Sequence, residues 1–333
     1  MNLAFRSTGI ATLLVLSAAA GAQAQSTVSV SGKLQLSYAR GNSGTSPLYG
    51  GGAFNGSTIN SETSQLNVAG KEDLGDGLYA SFDLQHFFMA DTGVPAYFAS
   101  KAFWDGRSIV RFGKAGVGEV YLGHDYAPLA HTGFSADPWG WDGSAMQVGG
   151  LQWANYATTN GIRTSNTLGF KTASFAGGFV GQLAFSAGEG TAGRGAGGSV
   201  TFTNEPFWAA IAYDEHANVG GKKDHLWMIA AAYDLGVIRP VLYVSQSSVA
   251  GVTYNGAGIA VTAPAGTGIL KAAIARLDDG ETAIAGKQNV MKFSIAYEYP
   301  FSKRTAAFGG FATSKMDGLG RTSVGEVGLR HNF

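Results

Sequence analysis

Val28-Ser-Val-Ser-Gly-Lys-Leu-Gln-Leu-Ser-Tyr38 alternates almost without a break. Val28, Val30, Leu34, Leu36 and Tyr38 share one parity with Gly32, while Ser29, Ser31, Lys33, Gln35 and Ser37 share the other. Successive side chains of a strand point to opposite faces, so the segment predicts a sheet with one apolar and one polar face. Its length is also that of a tilted strand crossing a bilayer, about 9–11 residues. The same alternation recurs downstream. Leu78, Ala80, Phe82 and Leu84 oppose Tyr79, Ser81, Asp83 and Gln85, and Phe179, Leu183 and Phe185 oppose Gln182, Ala184 and Ser186. Met291, Phe293, Ile295, Tyr297 and Tyr299 oppose Lys292, Ser294, Ala296 and Glu298. Between residues 245 and 290 Gly and Ala blur the pattern.

Turns set the strand count. Clusters of Gly, Pro, Asp and Asn mark tight connections at residues 72–77, 113–118, 172–178, 203–206, 234–238, 262–268 and 300–304. Seven short turns plus the junction of the two ends predict eight hairpins and sixteen strands, an even number that suits a closed bacterial barrel. Longer polar stretches at 41–63, 89–105, 125–163 and 188–199 alternate with them. Short turns on one rim and long loops on the other are the asymmetry of a membrane barrel.

Composition agrees. Hydrophobic residues make up 45% of the chain and aromatic ones 12%, but charged residues only 14%. Soluble chains carry about 25% charge, so much of this surface is expected to face something other than water. Fifty glycines argue against a helical protein. The chain has no cysteine, which excludes disulfides and thiolate metal sites, and a formal net charge of zero gives no case for nucleic acid. Residues 1–24 read as a secretory signal, with Arg6 at the positive end, an apolar run from Ile10 to Leu16, and Ala22-Gln23-Ala24 as the cleavage site. That apolar run is too short for a membrane helix, which needs about 20 residues. The expected domains are therefore a signal peptide, 1–24, and a transmembrane β-barrel, 25–333. An open sheet in hydrocarbon would leave backbone groups unpaired at several kcal/mol each, roughly, so the sheet must close. A sixteen-stranded ring holds a water-filled lumen lined by the polar parity. Tyr38, Phe170, Tyr213, Tyr297 and Tyr299 stand where interface girdles are expected.

Four segments carry a resemblance. Gly70-Lys-Glu-Asp-Leu-Gly-Asp-Gly-Leu78, Gly118-Glu-Val-Tyr-Leu-Gly123, Ser302-Lys-Arg-Thr305 and Val327-Gly-Leu-Arg-His-Asn-Phe333 resemble, in order and spacing, motifs of the Gram-negative general porins of the β-proteobacterial trimeric type. The resemblance implies an all-β closed antiparallel barrel with an inward-folded third loop, mapping to residues 125–160. It implies a water-filled outer-membrane channel for passive diffusion of ions and small hydrophilic solutes, without enzymatic activity or cofactor. It also implies a homotrimer in a lipid bilayer with lipopolysaccharide, and a terminal Phe333 read by the barrel-insertion machinery. The second long loop, 89–105, is the candidate latch to a neighbour.

In that family, arginines on early strands face acids on the third loop. Arg107 and Arg163 match two such arginines, and Arg111 shares the parity of Arg107. Asp125, Asp137 and Asp142 are the acids of the loop, which also carries Trp139, Trp141 and Trp153 and is stiffened by Pro128 and Pro138. At Asp137 the competing role is turn initiation before Pro138. For the tryptophans, pinning the loop is the preferred role over lining a solute path. Two positions depart from the family pattern: Gln65 and His124 stand where arginines are usual.

Other chemistry finds little support. The six histidines are scattered without metal-ligand spacing, and the glycine run 188–198 reads as a loop rather than a phosphate cradle. Two competing readings remain at this level. A barrel enzyme such as a lipid hydrolase would need a serine near a histidine on the lipid face, where His86 stands. An exported ligand-binding β-sandwich would show the same alternation, with its apolar faces packed together.

Overall fold

The computed structural model describes residues 26–42, 55–61, 63–95, 102–147, 162–188, 193–217, 223–249, 251–282 and 286–333, the side chains of 279–288 apart. The expected signal, Trp153 and the remainder of 148–161 lie outside the described residues. The elements run β1 (Thr27–Gly41), β2 (Gly56–Ser61), β3 (Gln65–Gly75), β4 (Leu78–Phe87), β5 (Arg107–Lys114) and β6 (Gly118–Tyr126). They continue with α1 (Pro128–Ala136), β7 (Arg163–Thr172), β8 (Phe179–Ser186), β9 (Gly195–Asn204), β10 (Phe207–Ala217) and β11 (Lys223–Tyr233). The last are β12 (Arg239–Val249), β13 (Val252–Ala265), β14 (Gly268–Thr282), β15 (Gly286–Pro300), β16 (Thr305–Met316) and β17 (Thr322–Asn332).

From β3 onward each strand pairs antiparallel with its sequence neighbour, and β17 returns to pair with β1. The short strand β2 and the full-length β3 occupy one position in the wall. Leu36 of β1 pairs with Ser61 of β2, and Gly32 of β1 pairs with Leu66 of β3. The ring therefore has sixteen positions, as the turns predict. Its seam continues through Phe333, which exchanges two 3.0 Å backbone hydrogen bonds with Gly32. Closure pairs the wall strands on both sides, the condition for a sheet in hydrocarbon, and among the described strands only the short β2 pairs on one side, with β1. Among the described residues no helix is long and apolar enough to cross a membrane.

Parity decides the two faces as expected. In β1, Val28, Val30, Leu34 and Tyr38 are exposed on the outside, while Gln35, Ser37 and Ala39 are buried within. In β15, Met291, Phe293, Ile295 and Tyr297 point out, while Lys292 and Ser294 are buried inside. All seven short turns fall between consecutive strands of one rim. The other rim is less uniform than the sequence implies. Its connections between β12 and β13 and between β16 and β17 are tight, closed by Gly251 and Gly318 at φ +89° and +77°. The long loops belong to the first half of the chain.

Aromatic rings explain where many glycines fall. Tyr79 opposes Gly113, Phe82 opposes Gly70, Tyr121 opposes Gly169, Tyr243 opposes Gly258 and Phe308 opposes Gly328. In each pair the ring lies where a Cβ on the glycine would stand. Cross-strand pairs of this kind stabilise a sheet and pin its register.

Gly169→Val should therefore destabilise the barrel by about 1–3 kcal/mol, the usual cost of overpacking. Gly181→Ala, whose Cβ would meet only Thr172 at 3.7 Å, should be near neutral. The temperature at which the folded band disappears on denaturing gels distinguishes the two.

Candidate functional site

The chain leaves β6 at Tyr126 and turns into the lumen. Pro128 opens α1 at its first turn, where its missing N–H costs nothing. Ala127 provides no side-chain cap; instead the backbone N–H of Leu129 donates to Asp214 Oδ2 of β10 at 2.9 Å. A carboxylate at a helix N-terminus satisfies an orphan donor and meets the positive end of the helix dipole. Gly197 of β9 makes room for it, since a Cβ there would collide with Asp214 Oδ1. The helix lies against β8–β12, and Leu129, Ala130 and Ala136 join a core with Leu226, Met228, Val241 and Tyr243.

After α1 the chain crosses the lumen. Trp141, at φ +62°, lays its ring on Gly133 and meets Phe134 with centroids 4.5 Å apart. Trp141 thus pins this segment to its own helix. Asp137 accepts the N–H groups of Trp139 and Gln147, both at 3.0 Å, and so folds 137–147 into a closed turn. Gln147 Nε2 donates to Ser294 at 2.6 Å, and Lys292 Nζ donates to the Met146 carbonyl at 2.5 Å. Ser144 N donates to Glu326 at 3.3 Å. Asp142 pairs with Lys33 of β1 and accepts Thr63 N at 3.1 Å. Residues 127–147 thereby form a bridge from β10 to β1. The anchors of the described bridge lie on β1, β10, β15 and β17, away from the wall of β3–β5.

That wall holds the arginines. Arg107 Nε donates to Asp125 Oδ1 at 2.6 Å, and its guanidinium also lies 3.4 Å from Asp83. Arg111 donates two 3.1 Å hydrogen bonds to the same Asp83 oxygen and stands 3.4 Å from Glu119. Arg163 is tied to the Gly106 carbonyl at 3.0 Å and the Tyr126 hydroxyl at 2.9 Å, between the rings of Phe87 and Tyr126. Tyr126 in turn donates to Gln85, and Gln85 Nε2 donates to Gln65 at 3.0 Å.

The expected site residues thus divide. Arg107, Arg111, Arg163 and Asp125 come together on the wall of β4–β7. Asp142 holds the far end of the bridge, and Asp137 is buried inside it. The two departing positions differ in consequence. Gln65 joins the polar wall, but His124 does not face the lumen. It shares the outward parity of Val120 and Leu122 in β6 and binds Ser165 and the Asp105 carbonyl. The pairing of β4 with β5 runs unbroken through Arg111, so that residue does share the face of Arg107. Sequence reasoning missed Asp83, Glu119, Lys33 and Asp214. Each stands on the polar parity of its strand, a signal too common along the wall to single them out.

Two groups of the bridge have displaced ionisation. Burial pushes the Asp137 carboxyl up to about 6, against the pull of the N–H groups of Trp139 and Gln147 and of Lys292. Burial lowers His131 to about 4, which keeps it neutral near pH 7. At the outer wall, His86 stacks on Phe103 with ring centroids 3.9 Å apart.

The Gram-negative porin family profile matches residues 11–319. The chain is 31% identical to outer membrane porin protein 32 of Delftia acidovorans, over 96% of this chain and 98% of that protein. An anion-selective porin from Comamonas acidovorans superposes with a TM-score of 0.78 at 27% identity, over 93% of this chain and 100% of that one. A trimer form of the Vibrio cholerae outer membrane protein OmpT shares the fold, with a TM-score of 0.69 at 13% identity over 92% and 99%.

Asp214→Ala should free the start of the bridge, at about 0.5–2 kcal/mol for a lost cap. The expected result is a noisier open-channel current, read in planar bilayers, with the barrel still folded. Asp137 adds a pH dependence. Its folded value lies above its ordinary 3.8, so protonation favours the seated bridge. That gain is complete below about pH 4 and is lost as pH rises through about 6. Current noise should therefore fall on acidification in the native protein and stay level across this window in Asp137→Asn.

Proposed function

We propose, from the premise that this chain belongs to the Gram-negative porin family and is an outer-membrane channel rather than an enzyme, that it is a weakly selective pore for small hydrophilic solutes and ions. The observation that carries this reading is Asp83, set on the wall between Arg107 and Arg111. Charges in a narrow, low-dielectric throat govern ion selectivity through the net field they leave. Here Asp83, Asp125 and Glu119 answer the arginines on their own wall, and Lys33 answers Asp142 at the other end. The anion selectivity named for the Comamonas protein therefore does not carry over at full strength.

The remaining elements of the proposal concern assembly. The chain is exported by a signal cleaved after Ala24, and Phe333 serves the insertion machinery as well as the seam. The working form is a homotrimer in a membrane containing lipopolysaccharide, with the loop 89–105 reaching a neighbour. Porins of this family are typically trimeric, which supports that reading.

Reversal potentials under a salt gradient test the pore. Arg107→Glu should move the preference toward cations, and Asp83→Asn toward anions, with conductance retained in both. If neither shifts the potential, these residues do not set the field of the throat.

A further inference from the structure

Away from the arginines, a cavity of about 40 Å³ lies between the far end of the bridge and the inner wall of β14–β17. Its floor comes from the register. Lys271, Ala296, Gly310 and Glu326 stand in one row across these four strands, so a cation and an acid flank two small residues. Trp139, Asp142 and Gly143 of the bridge line the opposite side. By this measure a water needs about 10–15 Å³, so the space takes roughly three waters or the head of one small solute.

The charges in the lining are of both signs. Lys271 Nζ donates to Glu298 Oε2 at 3.3 Å, and Arg330 Nη2 donates to the other oxygen of the same carboxylate. Two cations therefore share one acid and keep donors unused, just inside the short turn between β15 and β16. The acids Glu326 and Asp142 line the cavity as well, with Asp142 already holding Lys33. Two uncharged groups of the same lining lack hydrogen-bond partners. Gln35 is only 5% exposed, its backbone bonds to Ser64, and its Oε1 has no partner. The buried Nε1 of Trp139 has none either. Buried polar groups in folded proteins are nearly always paired, so two orphans in one cavity mark a place for a polar guest.

We propose that this cavity binds a small α-amino acid in its zwitterionic form. Lys271 and Arg330 take the carboxylate through charge-assisted hydrogen bonds, with the Trp139 N–H as a further donor. The ammonium turns toward the carboxylates of Glu326 and Asp142, and the Gln35 amide completes the polar contacts. Phe308 and the Trp139 ring offer apolar surface to a short side chain. A bare anion or a bare cation would answer only one part of this lining. The inference rests on the channel reading and deepens it, naming a solute class that suits a lumen of small net field.

The test is titration calorimetry of the detergent-purified native protein with L-alanine, with propionate and ethylamine as single-charge controls. L-Alanine should bind at least tenfold more tightly than either control. Arg330→Gln and Gln35→Leu should each weaken it about tenfold, the effect of losing one contact to a charged group. Ala296→Leu should abolish binding by filling the floor. Persistence of the folded band on unheated gels shows which variants are folded, and the two controls need no variant at all. Absence of L-alanine binding to the native protein would overturn the site. So would propionate binding as tightly as L-alanine, which would mark an anion subsite only, or unchanged L-alanine binding in the folded variants. If the native protein binds L-alanine in this residue-dependent way but never conducts in planar bilayers, the channel reading fails and the site stands.

Discussion

Closure of the hydrogen-bonded ring is the constraint on which everything else depends. In hydrocarbon an unpaired N–H or C=O finds no water, so a strand is tolerated only when both its edges are taken. β1 is where this condition is met. It pairs with β17 along one edge, with β2 and β3 along the other, and its Gly32 takes the two hydrogen bonds of Phe333. With both edges used, the period-two alternation becomes a radial division between lipid and water.

The bridge is a second structure that exists only because the ring is closed. Its segment between Ala127 and Gln147 has a small core of its own, so it borrows anchors from strands far apart in sequence. Asp214 caps its helix, Ser294 and Lys292 hold its turn, and Lys33 holds its far end. These contacts come from β10, β15 and β1, and a lost anchor loosens one end without opening the wall. Glycine serves the same end from beneath: Gly133 and Gly197 are the spaces into which Trp141 and Asp214 fit.

Charge in the lumen is organised as neighbouring pairs. Asp83 serves two arginines, Glu119 serves Arg111, and on the opposite wall Glu298 serves both Lys271 and Arg330. Pairing of this kind keeps long side chains against the wall and leaves a small net field in the water they border. It fits a passage that admits solutes of either sign better than one built to reject one of them.

Local physics made the wall legible in the sequence. Alternation such as Val28 to Tyr38 sets which face meets lipid, and Gly, Pro and Asp at the short turns count the strands, because both depend on residues adjacent in the chain. Even the blurred region resolved into β13 and β14, where Ala and Gly still keep their parity. The third loop was visible as a length, and Arg107 and Asp125 as charges of the right kind near it. What the tertiary structure alone decided is which charges meet. Asp83 comes between two arginines through the pairing of β4 with β5, and Asp137 turns inward through hydrogen bonds within the bridge. Periodicity assigns a side chain to a face, but its neighbours follow from register and loop path, which join residues from 10 apart, as Asp137 and Gln147, to 182 apart, as Ser144 and Glu326.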